Sequence, residues 1–288
     1  MKLSRRRSLH LAVGAAAIPT VSRISWAQSY PARPVHWIVC FSPGGPNDIV
    51  ARVIGQYLSD HLGQQFIIEN RVGAGGNVGM QSALSATPDG YTIVFVGPNN
   101  AINATLYERL AFDFIRDSVP VAGTMRLTNV MEVNLAVPAN NVAEFIAYAK
   151  ANPGKINFAS GGVGTSPHLS GELFKAMTGV NIVHVPYRGT ASKRVDAIPD
   201  VPTIGESVPG YEASVWYGIA APKGTPPEVV ENLNQAVNAV LADPRLQARL
   251  AELGGQPMPM TPAEFGKLVA AETEKWGKVI KLAGIKPE

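Results

Sequence analysis

Apolar residues in this chain alternate between two periods, strand-like runs and helical stripes, from residue 35 to the C-terminus. Val35–Phe41 reads as a buried strand, followed by a Pro-Gly-Gly turn and a helix over about 48–62. Its apolar positions are Ile49, Val53, Ile54, Tyr57 and Leu58. Phe66–Glu69 predicts a short strand, a Gly-rich turn leads into a helix beginning near Asn77, and Tyr91–Val96 predicts a third strand. Met131–Val137 alternates and is expected to be a strand. The spacing of Val142, Phe145, Ile146 and Ala149 predicts a helix over 141–152. Short strands at Ile156–Phe158 and Ile182–Val185 flank a helix over about 166–177. After a strand at Val215–Ala220, helices are expected over 226–241, 244–253 and 262–282. Strands alternating with helices in this way indicate an α/β fold. Between Arg188 and Trp216 the pattern lapses, and a compact domain rarely holds a structureless loop of that length.

The first 27 residues stand apart. Lys2, Arg5, Arg6 and Arg7 precede about ten mostly apolar residues, Leu9 to Ile18, and Ser25-Trp26-Ala27 offers small residues for cleavage before Gln28, the layout of an export signal. Arg6-Arg7-Ser8-Leu9 partly matches a twin-arginine signal, and Sec export fits as well. Formal charge then changes sign. The whole chain carries 25 Lys+Arg against 22 Asp+Glu, or +3. Residues 1–27 hold five of the basic residues and no acidic one, leaving 20 against 22, or −2, for the mature chain. Net charge therefore points to neither nucleic acid nor an anionic membrane. No apolar run reaches the roughly 18 residues of a membrane span. A single cysteine, Cys40, excludes an intramolecular disulfide and any Cys-based zinc site.

Three times a strand is followed by a Gly-rich turn and a helix start: at Phe41-Ser42-Pro43-Gly44-Gly45-Pro46-Asn47-Asp48, at Gly73–Asn77, and at Ser160–Pro167. Such ends present free N–H groups and the positive end of the helix dipole, and attract an anion without a cationic side chain. One end contributes about 0.3–1 kcal/mol, whereas a micromolar ligand needs about 8 kcal/mol, so several must converge. Nucleotide motifs are missing: Val78 falls where G-x-G-x-x-G needs its third glycine, and no G-x-x-x-x-G-K-[ST] is present. A hydrolase could be assembled from Ser166 and His168 with Asp48 orienting, but residues two apart on a helix do not face each other. His36, His61, His168 and His184 form no metal-binding pair, so no metal and no cofactor are expected.

Taken together, Tyr30–Pro34, Phe41–Asp48, Glu69–Gly79, Pro88–Thr92, Gly164–Leu169, Val185–Gly189 and Pro199–Thr203 resemble the Bug family, the extracytoplasmic solute receptors of tripartite tricarboxylate transporters. The resemblance implies a type II periplasmic-binding-protein-like fold: two α/β domains around a cleft, with 28–122 plus 213–288 as domain I and 123–212 as domain II. It implies a non-enzymatic periplasmic receptor that captures a small carboxylate solute and delivers it to the membrane components of the transporter. Carboxylates are held in that family by backbone N–H groups, hydroxyls and ordered water. Carried over, the ligand-binding residues are Phe41, Ser42, Pro43, Gly44, Gly45, Asp48 (as a loop-fixing residue), Gly75, Gly76, Asn77, Asn99, Asn100, Thr165, Ser166 and His168. Cys40 stands where the family usually has proline. The chain departs from the family after Gly189, where roughly 35–40 residues, about two strand–helix units, are missing. The second domain is thus expected to be incomplete, with an exposed strand edge. A shortened, binding-defective receptor is the alternative function, and a periplasmic serine hydrolase a second.

Overall fold

The alternation along the first strand sorts its residues onto two faces, and each face meets its own helices. In β1 (Val35–Val39), Val35, Trp37 and Val39 join one core, while Ile38 and the following Cys40 join another. The computed structural model describes residues 30–160, 162–186 and 204–286. The predicted export signal, Gly161, the motifs at Tyr187–Gly189 and Pro199–Thr203, and the junction near 189–191 lie outside them.

From β1 the chain enters α1 (Pro46–Leu62), β2 (Phe66–Asn70), a 3₁₀ turn at Ala74–Gly76, α2 (Asn77–Leu84), β3 (Thr92–Val96) and α3 (Pro98–Leu106). A short α4 (Phe114–Asp117) leads to β4 (Ser118–Thr128). The second lobe holds α5 (Val142–Ala151), β5 (Asn157–Ser160), α6 (Ser166–Thr178), β6 (Val183–Pro186) and α7 (Ile204–Ser207). The chain returns through β7 (Ser214–Pro222), α8 (Pro227–Leu241), α9 (Pro244–Glu252), β8 (Gly255–Pro257) and α10 (Pro262–Ala283). Six strands form one sheet in the order β2-β1-β3-β7-β4-β8; β5 and β6 form a separate parallel pair. Helices α1, α8 and α9 cover one face of the large sheet, and α2, α3 and α10 the other.

Most expected elements are present within a residue or two. Three readings change. Ile49 is exposed, and α1 instead buries Val50, Ala51, Ile54 and Leu58. The longest strand, β4, was not expected: Pro120 and Gly123 interrupt its pattern and coincide with two register shifts against β7. β4 pairs with β7 as far as Thr128. The expected strand over 131–137 does not form. The Asn134 side chain accepts from the Ala136 N–H (2.9 Å), and its carbonyl accepts from Val137 (2.9 Å), closing a turn. Met131, Val133 and Val137 still pack on the second lobe, but Leu135 projects into solvent.

Candidate functional site

Parallel pairing of β2, β1 and β3 brings the turns after these strands to the same edge of the sheet. Crevices outside the carboxyl ends of parallel strands are where α/β folds bind ligands. Three of the four Gly-rich or Asn-rich helix starts therefore sit side by side, on α1, α2 and α3. The fourth, on α6, packs on the C-terminal end of α3 beside the α2 start: a Cβ on Gly164 would lie 2.7 Å from Leu106 Cδ2, and one on Gly75 2.9 Å from the Tyr107 hydroxyl.

The β1–α1 turn is fixed by Asp48, 2% exposed. Its carboxylate accepts from the Gly44 N–H, from Arg52 Nε and from Asn70 Nδ2, each at 2.9 Å, and Asn70 Nδ2 also donates to the Phe41 carbonyl at 3.0 Å. Burial pushes the Asp48 carboxyl up, but the Arg52 guanidinium, the Gly44 amide and the Asn70 amide outweigh it and hold the group ionised, below its ordinary 3.8. Ser42, Pro43 and Gly44 are exposed on this turn, with Phe41 and Gly45 partly so. The Phe41 ring closes on Gly76, where a Cβ would meet it at 3.3 Å. Cys40 lies behind the turn, and burial drives its thiol up to about 12, so it stays protonated and unreactive.

At the β2–α2 turn, Gly75 and Gly76 adopt φ of +63° and +97°, values that favour glycine. The backbone amides here are already used: Gly76 and Val78 donate to the Gly73 carbonyl and Asn77 to that of Ala74. What is left over is a side chain. Asn77 is 7% exposed, its Oδ1 accepts from Asn103 Nδ2 at 3.0 Å, and its own Nδ2 is buried with no partner among the described residues. Asn103 Nδ2 also donates to the Gly75 carbonyl at 2.9 Å. On α3, Asn100 caps its own helix by accepting from the Gly97 N–H at 2.9 Å, while the neighbouring Asn99 is half-buried.

At the start of α6, Thr165 is the N-cap residue, and its hydroxyl donates to the Gly162 carbonyl at 2.8 Å. Ser166 is buried, and its Oγ accepts from Asn129 Nδ2 at 3.1 Å. His168, also buried, accepts the Gly164 N–H at Nδ1 (3.1 Å) and stacks on His184, ring centroids 3.8 Å apart. Burial, together with the nearby His184 and Lys175, lowers its pKa to about 4, so the ring is neutral. Ser166 and His168 share no hydrogen bond, and the imidazole nitrogen that could act as base is occupied by Gly164. The hydrolase arrangement is not assembled.

Sequence reading offered backbone amides to an anion at each turn. The folded chain answers many of them internally: Gly44 by Asp48, the Gly75–Val78 turn by its own carbonyls, Gly97 by Asn100, Gly164 by His168. Asn70, Asn103 and Asn129 went unread. Asn103 had a signal, since it follows Asn99 and Asn100 at helical spacing. Asn129 had none, because the strand it ends was itself unread. Among the described residues, no group of three or more His, Cys, Asp or Glu side chains could hold a metal ion, and no helix is long and apolar enough to cross a membrane.

Known proteins give this geometry a context. A Pseudomonas protein encoded in a tcbD-tcbE intergenic region is 34% identical, covering 96% of this chain and 94% of its own. BugT of Bordetella pertussis is 31% identical over 90% and 92%. Among solved structures, a Rhodopseudomonas palustris protein with adipate is similar with 34% identity and a TM-score of 0.77, covering 90% of this chain and all of its own. The periplasmic binding protein BugD has 30% identity and a TM-score of 0.71 over the same shares. MatC from R. palustris, with bound malate, has 28% identity and a TM-score of 0.69, over 87% and 100%. The Pseudomonas alignment runs over 317 positions but uses 96% of 288 residues, about 276, leaving about 40 positions with no residue in this chain. The model of the tripartite tricarboxylate transporter family receptor, TctC, matches residues 50–193 and 190–285, and the chain belongs to that family of solute-binding receptors.

Proposed function

We propose that the mature chain, from Gln28, is a periplasmic receptor that captures a small carboxylate-bearing solute and hands it to the membrane components of a tripartite transporter, without covalent chemistry. The observation that carries the reading is the row of three helix starts at one end of the first-lobe sheet, with the start of α6 from the second lobe packed close by on the end of α3. Relatives with the same fold hold adipate and malate, both dicarboxylates, which supports a small carboxylate as the class. With a mature charge near −2, the attraction is local: helix dipoles, the Ser42, Thr165 and Ser166 hydroxyls, and the Asn77 amide. We place the carboxylate against Phe41–Gly45, Gly75–Asn77, Asn99 and Thr165–Ser166. Asp48, Asn100 and His168 shape those turns from behind.

A thermal-shift and calorimetry panel of adipate, malate, citrate and amino acids on the mature protein tests this. A true solute at about 100 times its dissociation constant stabilises the fold by about 2.7 kcal/mol. A flat response from folded protein overturns the receptor reading. It would favour the second one, a shortened and binding-defective receptor. Two observations support that alternative: about 40 unmatched alignment positions, and a family match that breaks at 190–193, where the reading of the sequence puts the missing units. Rereading the gene across codons 188–192 decides whether the shortening is genuine.

A further inference from the structure

The two lobes are joined by neighbouring strands. The chain leaves the large sheet at the end of β4 and re-enters it at the start of β7, and Thr128 and Ser214 are register partners at the crossing. The first residue beyond β4 is Asn129. Its Nδ2 lies 2.8 Å from the Ala213 carbonyl, 3.1 Å from Ser166 Oγ and 3.1 Å from Ser170 Oγ. One amide group thus touches both crossing segments and the first turn of the helix that brings the second lobe to the crevice. Ser170 in turn donates its hydroxyl to the Ser166 carbonyl at 2.7 Å, closing a loop of bonds around that turn.

The polarity of these bonds matters. An Asn Nδ2 can only donate and carries two protons, so with the Ala213 carbonyl taking one, the Ser166 and Ser170 hydroxyl oxygens share the other as acceptors. The Ser166 hydroxyl's own proton has no acceptor among the described residues and is left for something entering the crevice. A carboxylate, which can only accept, is the matching group. We infer that Asn129 is the latch between lobe orientation and solute binding: it pins the α6 turn to the strand crossing and sets Ser166 as a donor. This rests on the receptor reading for its second half only, since the pinning exists without solute. Asn129 is a positioning residue; Ser166 is the group in contact.

The test uses the mature protein with Asn129→Ala and, as a variant of similar volume that can neither donate nor accept, Asn129→Leu. Amide hydrogen exchange is read over 166–172 and 213–216, with α8 as internal reference. The latch predicts exchange about tenfold faster in both segments and unchanged in α8, a change of about 1.4 kcal/mol, the size of a lost hydrogen bond. Unchanged exchange in the α6 turn in both variants overturns the latch, whatever the protein binds. The coupling is then read with adipate or malate in a double-mutant cycle. Asn129→Ala and Ser166→Ala should each weaken binding about tenfold, and the double variant no further. Additive losses would remove the orientation of Ser166 from the proposal. If the wild-type protein binds neither probe, the receptor reading fails while the exchange experiment still decides the latch.

Discussion

His168 stores part of this fold's pH dependence at one atom. Its Nδ1 must stay unprotonated to accept the Gly164 N–H, and its ring lies against His184 on one side with Glu172 Oε1 4.0 Å from Nε2 on the other. The folded pKa of about 4 is depressed from the ordinary 6.5, so the unfolded chain takes up the proton first as pH falls. The contribution is complete above about pH 6.5 and is lost progressively toward pH 4, at most about 3 kcal/mol. Urea midpoints measured from pH 7.5 to 4 should fall more for the native protein than for His168→Gln, whose side chain has no proton to gain. Parallel curves would remove His168 from the acid response. Because the bond that breaks holds the α6 turn, solute affinity should fall over the same interval. Sequence could place His168 at the helix start. It could not show that the ring faces β6 behind the turn, since His184 comes beside it only when β5 and β6 pair.

Among the elements, α10 and β7 are joined by a buried carboxylate rather than by apolar contact alone. Glu272, 5% exposed, accepts from Trp216 Nε1 of β7 at 3.0 Å and from Trp276 Nε1 one turn along α10 at 2.9 Å, with Lys275 paired to its other oxygen. Replacing it by leucine strands two indole donors in the core, and each buried, unpaired donor costs about 1–3 kcal/mol. Glu272→Leu should therefore lose about 2–5 kcal/mol by denaturant titration, and Glu272→Gln, which keeps an acceptor oxygen, should lose less. Equal losses would show that shape, not the two hydrogen bonds, decides the join. The helical stripe of α10 was legible because 22 residues of regular period leave little ambiguity. α3 was not: in Pro98–Leu106 three of nine residues are Asn, a poor helix former, and packing against α10 overrides that preference. The strand expected at 131–137 failed for the opposite reason. Its alternation is genuine, but a local turn at Asn134 takes the backbone groups that a ladder would need.

At the scale of the whole molecule, the first lobe supplies a template for judging the second. In the first lobe, strand, helix, strand, helix and strand follow one another, and β1 inserts between β2 and β3. In the second, 131–137, α5, β5, α6 and β6 follow in the same order, yet β5 pairs directly with β6, Phe158 opposite His184. The central slot is closed, and the segment that would fill it lies against a cavity of about 610 Å³ lined by Met131, Val133, Phe145, Phe158, Phe174 and Tyr211 among others. Core size differs: among the described residues the second lobe's own cluster holds seven buried apolar residues, against twenty-five and nineteen on the two faces of the large sheet. A two-stranded sheet with so few buried neighbours has little stability of its own. The lobe is held by its attachments, through Leu169 in the large core and through Asn129 at the crossing. Native-state hydrogen exchange should therefore separate the two lobes. Amides of β5 and β6 should open several kcal/mol below those of β1, β3 and β7, which exchange only by global unfolding. A saturating carboxylate that bridges the crevice should raise the β5–β6 protection toward the global value, because opening the second lobe then also costs the bound solute. Equal protection in both sheets without solute would mean that the second lobe is as well built as the first.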